Sequence, residues 1–186
     1  FYLNLQQLLN WDKTFDFKHH VTVLLGHEWY KSTGVSLGAQ KSKMFSLENT
    51  ELGGAVIDMQ SASSGYNEYN NEGYFLRAQY DYENRIFASA SFRRDASSRF
   101  HPDHRWGNFW SAGAGWLINN EPWFGAPWVD MLKLKASIGS QGNDGIPDYL
   151  YTDTYEISNN EGEVAVAFRS KGNPDITWET NLNFNT

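Results

Sequence analysis

The sequence predicts an all-β fold built from consecutive antiparallel strands. Apolar residues recur at every second position through much of the chain, the alternating stretches number about seven, and short connections between them alternate with long ones. A period of two places successive side chains on opposite sides of a strand. Each predicted strand therefore has one apolar face and one polar face.

The strongest alternation lies in the middle of the chain. Residues 74–82 place apolar or aromatic side chains at even positions and Arg77, Gln79 and Asp81 at odd positions. The same parity resumes after a short break at residues 83–85, which predicts a β-hairpin. Three more stretches alternate in this way: residues 86–93, 110–118 and 132–139.

Residues 15–29 also alternate, with Leu24 as the main exception. Weaker alternation at residues 1–11 and 178–184 completes the set of predicted strands. A tight turn is predicted at residues 11–15 and a connection of intermediate length at residues 119–130. Three connections are long and polar: residues 31–72, 95–108 and 140–173. Short turns at one end and long loops at the other are typical of outer-membrane barrels.

The aromatic content also favours a membrane barrel. Aromatic residues make up 16% of a chain whose mean hydropathy is only −0.59. Trp and Tyr near strand ends suit the headgroup level of a bilayer, and strands of about 10 residues suit a tilted crossing. The apolar faces would then meet lipid. A soluble β-sandwich or jelly roll, in which those faces pack on a second sheet, stays open as the alternative.

Composition excludes several other classes. A net charge of −7 argues against a nucleic-acid partner, and the lack of cysteine removes disulfides and zinc thiolates. No stretch approaches the roughly 20 apolar residues that a membrane helix needs. The sequence starts at Phe1 without an initiator Met or a signal-peptide pattern, so we expect a segment of a longer chain.

Neither a metal site nor a catalytic site is predicted. Candidate metal ligands lie at His19, His20, His27, Glu28 and residues 101–104, but no two on one strand face stand at neighbouring spacing. Ser97 and Ser98 lack the context of a nucleophile, and no phosphate loop is present, so no cofactor is expected. A soluble carbohydrate-binding module or a glycoside hydrolase remains the alternative of a different class.

Two adjacent blocks resemble a signature of the SusC/RagA family. Residues 74–82 are similar to a family strand that reads Y-x-x-R-x-x-Y-x-Y, and residues 91–100 to a block containing R-R-D-G-S-S-R-F, with Ala96 in place of the Gly. Three more blocks follow in the family order: residues 105–111, 132–139 and 172–180. Residues 1–73 resemble the family only loosely.

The resemblance implies a barrel of about 22 strands with a plugged lumen. Residues 1–186 would then be a partial β-barrel domain of a TonB-dependent receptor, about seven strands long, without the plug and the remaining strands. An open sheet edge in lipid leaves backbone groups without partners, so we expect such a segment to need the rest of its barrel.

The resemblance also implies a transport function. Family members import oligosaccharides or oligopeptides across the outer membrane of Gram-negative bacteria. They draw energy from TonB through a part of the protein outside this segment, and they work beneath a SusD-like surface lipoprotein that acts as a lid. The implied partners are therefore this lid, TonB, a glycan or peptide substrate and the lipid bilayer.

Two groups of residues are candidates for functional roles. Loop aromatics could stack on the apolar faces of sugars, unless they serve loop packing or the membrane belt: Tyr66, Trp106, Tyr149 and Tyr151. Arginines in the motif block could bind an anionic substrate. For Arg93, Arg94, Asp95 and Arg99, pairing of Arg with Asp that stiffens the barrel rim is the favoured interpretation.

Overall fold

The computed structural model describes the backbone of residues 1–186 and the side chains of all but residues 57–60. This backbone forms nine strands: β1 (Tyr2–Phe15), β2 (His19–Met44), β3 (Ala55–Tyr82), β4 (Ile86–Ser97), β5 (Trp106–Leu117), β6 (Lys133–Asn143), β7 (Thr154–Asn160), β8 (Glu163–Ser170) and β9 (Glu179–Asn185). Single 3₁₀ turns occupy Leu52–Gly54 and Ile118–Asn120. Among the described residues, no helical segment is long and apolar enough to cross a membrane.

Seven of the strands form one sheet in the order β1-β2-β3-β4-β5-β6-β9, and β7 pairs with β8 in a separate hairpin. The pairs from β3 to β9 are antiparallel. The predicted all-β antiparallel fold with about seven consecutive strands is therefore confirmed. The β7–β8 hairpin lies inside the connection that the sequence predicted as a loop at residues 140–173.

The register of the sheet keeps residues of equal parity together. Leu76 pairs with Phe92, Phe92 with Trp110, and Ile138 with Phe184. Even-numbered residues of β3 from Tyr74 onward, and of β4, β5, β6 and β9, thus share one side, which we call the apolar face. The opposite side, the polar face, carries among others Gln79, Asp81, Ser89, Ser91, Ser111, Gly113, Lys133, Lys135, Ser137 and Asn183.

The chain divides into two units. The first contains residues 1–3 and 31–69, and the second contains residues 4–30 and 70–186. In the first unit, Lys31 Nζ pairs with Glu68 Oε1 at 2.8 Å, and the Tyr66 hydroxyl donates to Glu68 Oε2 at 2.7 Å. These contacts join residues 31–44 of β2 to residues 55–69 of β3.

The prediction of a long loop at residues 31–72 is wrong. β2 runs to Met44 and β3 starts at Ala55, so the loop is confined to residues 45–54. Val35 and Leu37 stay exposed among Ser, Thr and Gly residues in this part of β2. A strand without a buried face shows no hydrophobic alternation, and its backbone pairing leaves no mark on the sequence pattern.

The predicted turn at residues 11–15 is also misplaced. β1 continues to Phe15, and Lys18 N donates to Phe15 O at 3.0 Å across Asp16 and Phe17. Both central residues have positive φ, 50° and 56°, as a two-residue hairpin turn of type I′ requires. Phe17 was assigned to a strand because it shares the parity of Phe15 and Val21. Aromatic residues are also uncommon in such turns.

The other connections follow the predicted alternation of lengths only in part. The β4–β5 connection, predicted as a long loop at residues 95–108, is confined to residues 98–105, whereas the β5–β6 connection on the predicted short side spans residues 118–132. Glu83 and Asn84 form a second two-residue turn, closed by Arg85 N donating to Tyr82 O at 2.9 Å. The turns after β1 and β3, and the connection from β5 to β6, lie at one end of the sheet, the turn end. The β4–β5 connection and the connection containing β7 and β8 lie at the other, the loop end.

The two short turns contact each other. Glu83 N donates to Lys18 O at 2.9 Å, and Lys18 Nζ pairs with Glu83 Oε1 at 3.1 Å. The hydrogen bond from Lys18 lowers the pKa of the Glu83 carboxyl, and the same bond raises the pKa of Lys18. The ion pair thus links the β1–β2 hairpin with the β3–β4 hairpin at the turn end.

We expect Phe17→Gly to stabilise the full-length protein by about 1 kcal/mol, because glycine adopts positive φ without strain. The Phe17 ring is fully exposed, so little packing is lost within this chain. Urea unfolding in detergent micelles measures the change. Phe15→Gly is the control and should destabilise, since Phe15 is a strand residue that packs against Trp11. A lower unfolding midpoint for Phe17→Gly would contradict the prediction.

We expect Glu83→Gln to lower stability at neutral pH but not in acid. The pKa of Glu83 lies below its ordinary value of 4.5, so its contribution is present above that value and is lost as pH falls through the lowered pKa. The contribution of Lys18 is present below its ordinary pKa of 10.5 and is lost as pH rises through the raised one.

Unfolding midpoints of the two proteins should therefore differ by a constant amount between about pH 5 and pH 10 and converge below this window. Asp16→Asn serves as the matched control, since it removes one carboxylate from the neighbouring turn and leaves the pair between Lys18 and Glu83 intact. A difference that persists unchanged at pH 3 would show that the ion pair is not its cause.

Candidate functional site

The start of the connection at residues 144–178 is bound to the end of β4. Ser97 Oγ donates to Asp144 Oδ2 at 2.8 Å. Arg99 Nη1 donates to the Asp144 carbonyl at 2.9 Å, and Arg99 Nε donates to Asp148 Oδ1 at 3.0 Å. Ser97 is fully buried. Hydrogen bonds that involve charged groups are stronger than neutral ones, so this end of the loop is well fixed.

The far end of the same loop is held by aromatic packing. The Trp178 ring lies 5.4 Å from the ring of Phe100 and 5.2 Å from that of Phe109, measured between centroids. Trp178 Nε1 also donates to the Arg105 carbonyl at 2.8 Å. Phe100 is 0% exposed. We call the following set the loop anchor: Ser97, Arg99, Phe100, Phe109, Asp144, Asp148 and Trp178.

A second ionic cluster lies on the polar face at the end of β4. Arg93 Nε donates to both carboxylate oxygens of Asp95, at 2.7 and 2.8 Å, and Nη2 donates to Glu28 Oε2 at 3.2 Å. The guanidinium lies 5.2 Å above the centre of the Phe75 ring. Asp95 is only 6% exposed, and a carboxylate so buried needs a partner of opposite charge. The Phe75 ring lies in the space beside Gly26 that a side chain at position 26 would need.

Arg94 points the other way, onto the apolar face. Its guanidinium carbon lies 5.1 Å from the centre of the Trp106 ring. Trp106 stacks on Tyr74 at 6.2 Å between centroids. Of the four motif residues singled out in the sequence, Arg93, Asp95 and Arg99 therefore make ion pairs, whereas Arg94 contacts aromatic rings.

The predicted loop aromatics are distributed over different places. Tyr149 has a φ of 64°, and its carbonyl accepts hydrogen bonds from Thr152. Tyr151 packs edge-on against the His101 ring at 5.9 Å. Trp106 lies on the apolar face, and Tyr66 belongs to the first unit. Only Tyr149 and Tyr151 share a loop, and contact with substrate stays a prediction for all four.

Tyr151 lines a cavity of about 640 Å³ at the loop end. Its other lining residues are His101, Pro102, Thr152, Asp153, Lys171, Gly172 and Pro174. The cavity thus combines aromatic rings with one carboxylate and one amine. Such a mixture suits a polar ligand with apolar faces, for example a sugar or a peptide.

The hairpin β7–β8 extends from the same loop and was missed in the sequence. Its turn is formed by Glu161 and Gly162, both with positive φ. Tyr155 pairs with Phe168 and Ile157 with Val166, so apolar side chains share one face. The period-two pattern on both sides of a turn ending in glycine is the signal that could have identified it.

Some partners in the loop anchor had no local signal. Asp144 and Asp148 lie in a stretch rich in turn residues and bind Ser97 and Arg99, which lie far away in sequence. The sequence also placed Trp178 at the start of the last strand, but β9 begins at Glu179 and Trp178 packs in the loop anchor. Only the three-dimensional arrangement shows these contacts.

The histidines of β2 contact polar side chains of the neighbouring strands. Among the described side chains, no group of three or more His, Asp or Glu residues could hold a metal ion. His19 Nδ1 lies 2.7 Å from the Tyr80 hydroxyl, and His20 Nε2 lies 2.9 Å from Asp12 Oδ2. These histidines link neighbouring strands.

Known proteins resemble this chain over nearly its whole length. A family described as TonB dependent receptor-like, beta-barrel, matches residues 2–186. A TonB-dependent receptor of Formosa agariphila is 28% identical over 183 residues, which is 94% of this chain and 17% of that protein. SusC of Bacteroides thetaiotaomicron is 31% identical over 121 residues, or 60% of this chain and 12% of SusC.

Solved structures of the RagAB peptide importer also match. The RagAB peptide transporter has a TM-score of 0.90 at 26% identity, covering 98% of this chain and 21% of that chain. Its closed-closed and open-open states give TM-scores of 0.89 and 0.87.

The chain spans about a fifth of the length of the relatives it matches. The relatives are transporters and receptors of the outer membrane, not enzymes, and the soluble β-sandwich alternative is not favoured. The order of the strands, the two-sided sheet and the match over residues 2–186 agree, and the chain belongs to the TonB-dependent receptor-like β-barrel family.

Proposed function

We propose that this chain is part of the barrel of a TonB-dependent importer that carries oligosaccharides or oligopeptides across the outer membrane of a Gram-negative bacterium. The observation that carries the proposal is the division of the sheet into two faces. Aromatic rings lie near both ends of the apolar face: Tyr80 and Trp116 towards the turn end, Tyr74 and Trp106 towards the loop end. Barrels place such rings at the two membrane interfaces.

The polar face suits a wet lumen. It contains a concavity of about 820 Å³ whose lining includes Gln79, Asp81, Lys133 and Lys135. Packing these groups against a second sheet would bury amines and a carboxylate, which is costly without partners. The apolar face in contrast exposes Leu76, Phe92 and Ile86, as a surface in contact with lipid does.

The loop end is the proposed place of cargo capture. In outer-membrane barrels the long loops are extracellular, so the cavity lined by Tyr151 opens where cargo arrives. We propose Tyr149 and Tyr151 as cargo contacts. The same role for Tyr66 and Trp106 remains part of the proposal, although the stacking of Trp106 with Tyr74 and Arg94 favours a role in the membrane belt.

The remaining partners are proposed from the relatives. RagAB is a peptide importer, and SusC is a TonB-dependent receptor. We propose a SusD-like lipoprotein as the lid above the loops and TonB as the energy source, acting through the rest of the protein. Cargo would be captured between lid and loops and released past a displaced plug. The net charge of −7 of this segment argues against a nucleic-acid partner.

The ion pairs at the end of β4 have a mechanical role in this proposal. Arg93, Asp95 and Arg99 stiffen the transition from strand to loop. This chain is similar to both the closed-closed and the open-open state of RagAB, which supports a segment that keeps its shape while the importer opens. The loop anchor therefore provides a fixed base for the cargo cavity.

A deletion strain complemented with the full-length gene tests the function. Uptake of a labelled oligosaccharide or oligopeptide should depend on the gene and cease when an uncoupler removes the energy supply. Tyr151→Ala should raise the half-saturation concentration about five-fold, the order of magnitude of one lost stacking contact. Tyr155→Ala is the control, because Tyr155 does not line the cavity.

Two results would overturn the proposed function. One is recovery of the full-length protein as a soluble monomer without detergent. The other is hydrolysis of a glycan by the purified protein, which would favour the enzyme alternative.

Removal of one arginine from the loop anchor should loosen the loop. Arg99→Gln replaces the charge that binds Asp144 and Asp148, so proteolysis within residues 144–178 should become about ten-fold faster in the folded full-length protein. Cargo uptake per molecule should fall in parallel. Limited proteolysis of outer-membrane vesicles gives the rate.

The matched control for this experiment is Arg169→Gln. Arg169 lies on β8, is exposed and makes no ion pair among the described side chains. Equal proteolysis rates for Arg99→Gln and the unaltered protein would show that the anchor does not hold the loop.

A further inference from the structure

Four residues form a row on the apolar face near the loop end, one on each of β1 to β4. His27 Nδ1 lies 2.7 Å from Gln7 Oε1, and the His27 ring stacks on the Tyr74 ring at 4.6 Å with planes 21° apart. Tyr74 and Arg94 are cross-strand partners. We call Gln7, His27, Tyr74 and Arg94 the upper row.

Two charged residues, Glu72 next to the upper row and Arg94 within it, differ in the partners that they contact. Glu72 accepts a hydrogen bond from the Tyr74 hydroxyl at 2.6 Å and lies 3.3 Å from His27 Nε2. Arg94 in contrast contacts the Trp106 ring and has no carboxylate within ion-pair distance among the described side chains. The guanidinium is exposed. The upper row therefore ends in a cation that lacks an anionic partner among the described side chains.

A second row lies directly beneath the first, towards the middle of the strands. It consists of Leu9, Leu25, Leu76 and Phe92, each two residues from its counterpart in the upper row and thus on the same face. Their exposed fractions range from 41% to 65%. We call these residues the lower row.

The two rows together line a groove of about 560 Å³. Its floor is apolar, and Arg94 and His27 stand at its upper edge. An arginine fork matches the geometry of a phosphate and can donate two parallel hydrogen bonds to it. A groove that is apolar below and cationic above fits an amphiphile with acyl chains and an anionic head.

We propose that this groove binds a phosphorylated glycolipid of the outer leaflet, with a phosphate on Arg94 and an acyl chain along the lower row. The level of Trp106 and Tyr74 marks the headgroup region, and the long loops put this end of the sheet on the outer side. The inference rests on the proposed placement of the chain in the outer membrane, but not on the cargo or on the lid.

The charge pattern favours a lipid over a second copy of this chain. A copy docked by two-fold symmetry presents the same patch of surface, so any anion that it offers Arg94 must come from that patch. The only carboxylate described beside the upper row, Glu72, is already engaged by Tyr74 and His27. A lipid phosphate has no such conflict.

The test is a titration of the full-length protein in mild detergent with purified lipid A. Native mass spectrometry measures the bound lipid. Arg94→Gln should weaken binding of lipid A with its phosphates about ten-fold, the effect expected for loss of a charged hydrogen bond. Arg94→Lys should recover part of the affinity. Leu25→Trp, which fills the groove without changing a charge, should also weaken binding.

Arg77→Gln is the matched control, because it removes the same charge from the polar face of β3. Affinity for lipid A should stay unchanged in this variant. Equal binding by Arg94→Gln and the unaltered protein, or equal loss in Arg77→Gln, would overturn the proposal. So would equal affinity of the unaltered protein for dephosphorylated lipid A.

Two further measurements separate the alternatives. Equal affinity for phosphatidylglycerol would overturn the choice of a glycolipid, and a lipid-free dimer that dissociates in Arg94→Gln would assign the groove to a second copy. Uptake by the complemented strain is measured in parallel. Lost lipid binding with normal uptake leaves the import function standing. Lost uptake with normal lipid binding leaves the lipid site standing.

Discussion

Parity-preserving register between neighbouring strands is the constraint on which the rest of this structure depends. Among the described pairs of the seven-stranded sheet, from β3 through β4, β5 and β6 to β9, even residues pair with even ones and odd residues with odd ones, as Leu76 with Phe92 and Trp116 with Leu134. A slip by one residue would exchange the two faces of a strand. In a bilayer the cost is double, because an apolar row would turn to water and the lysines of β6 would turn to lipid. Backbone groups in lipid must also find partners, which fixes the pairing further.

The same constraint explains why neighbouring arginines have different surroundings. Arg93 lies on the polar face and binds Asp95 and Glu28, whereas Arg94 lies on the apolar face against Trp106. A shared motif of two arginines therefore does not act as one charged cluster. Its first residue is held in ion pairs at the end of β4, and its second lies on the apolar face against an aromatic ring.

The sequence predicted those strands whose two faces meet different environments. β3 beyond Tyr74, β4, β5 and β6 alternate clearly because one face is apolar, and the structure confirms them. Residues 31–44 of β2 and 55–72 of β3 show no clear alternation in the sequence and were predicted as a loop. Turn-residue preferences did not predict the turn at residues 16–17, because Phe17 adopts a positive φ against the preference of its residue type. Contacts such as Arg99 with Asp148 depend on the folded loop and have no local signal.

Fixing both ends of the loop at residues 144–178 has a consequence for the cavity at the loop end. Asp144 and Asp148 hold its start, Trp178 holds its finish, and the cavity residues Tyr151 and Lys171 lie between them. A free loop of that length would lose much conformational entropy when a ligand orders it. The anchored loop has lost part of that entropy on folding. Under the proposed function, binding in the cavity would depend on the ring of Tyr151 and its neighbours more than on loop ordering, since both ends of the loop are already held.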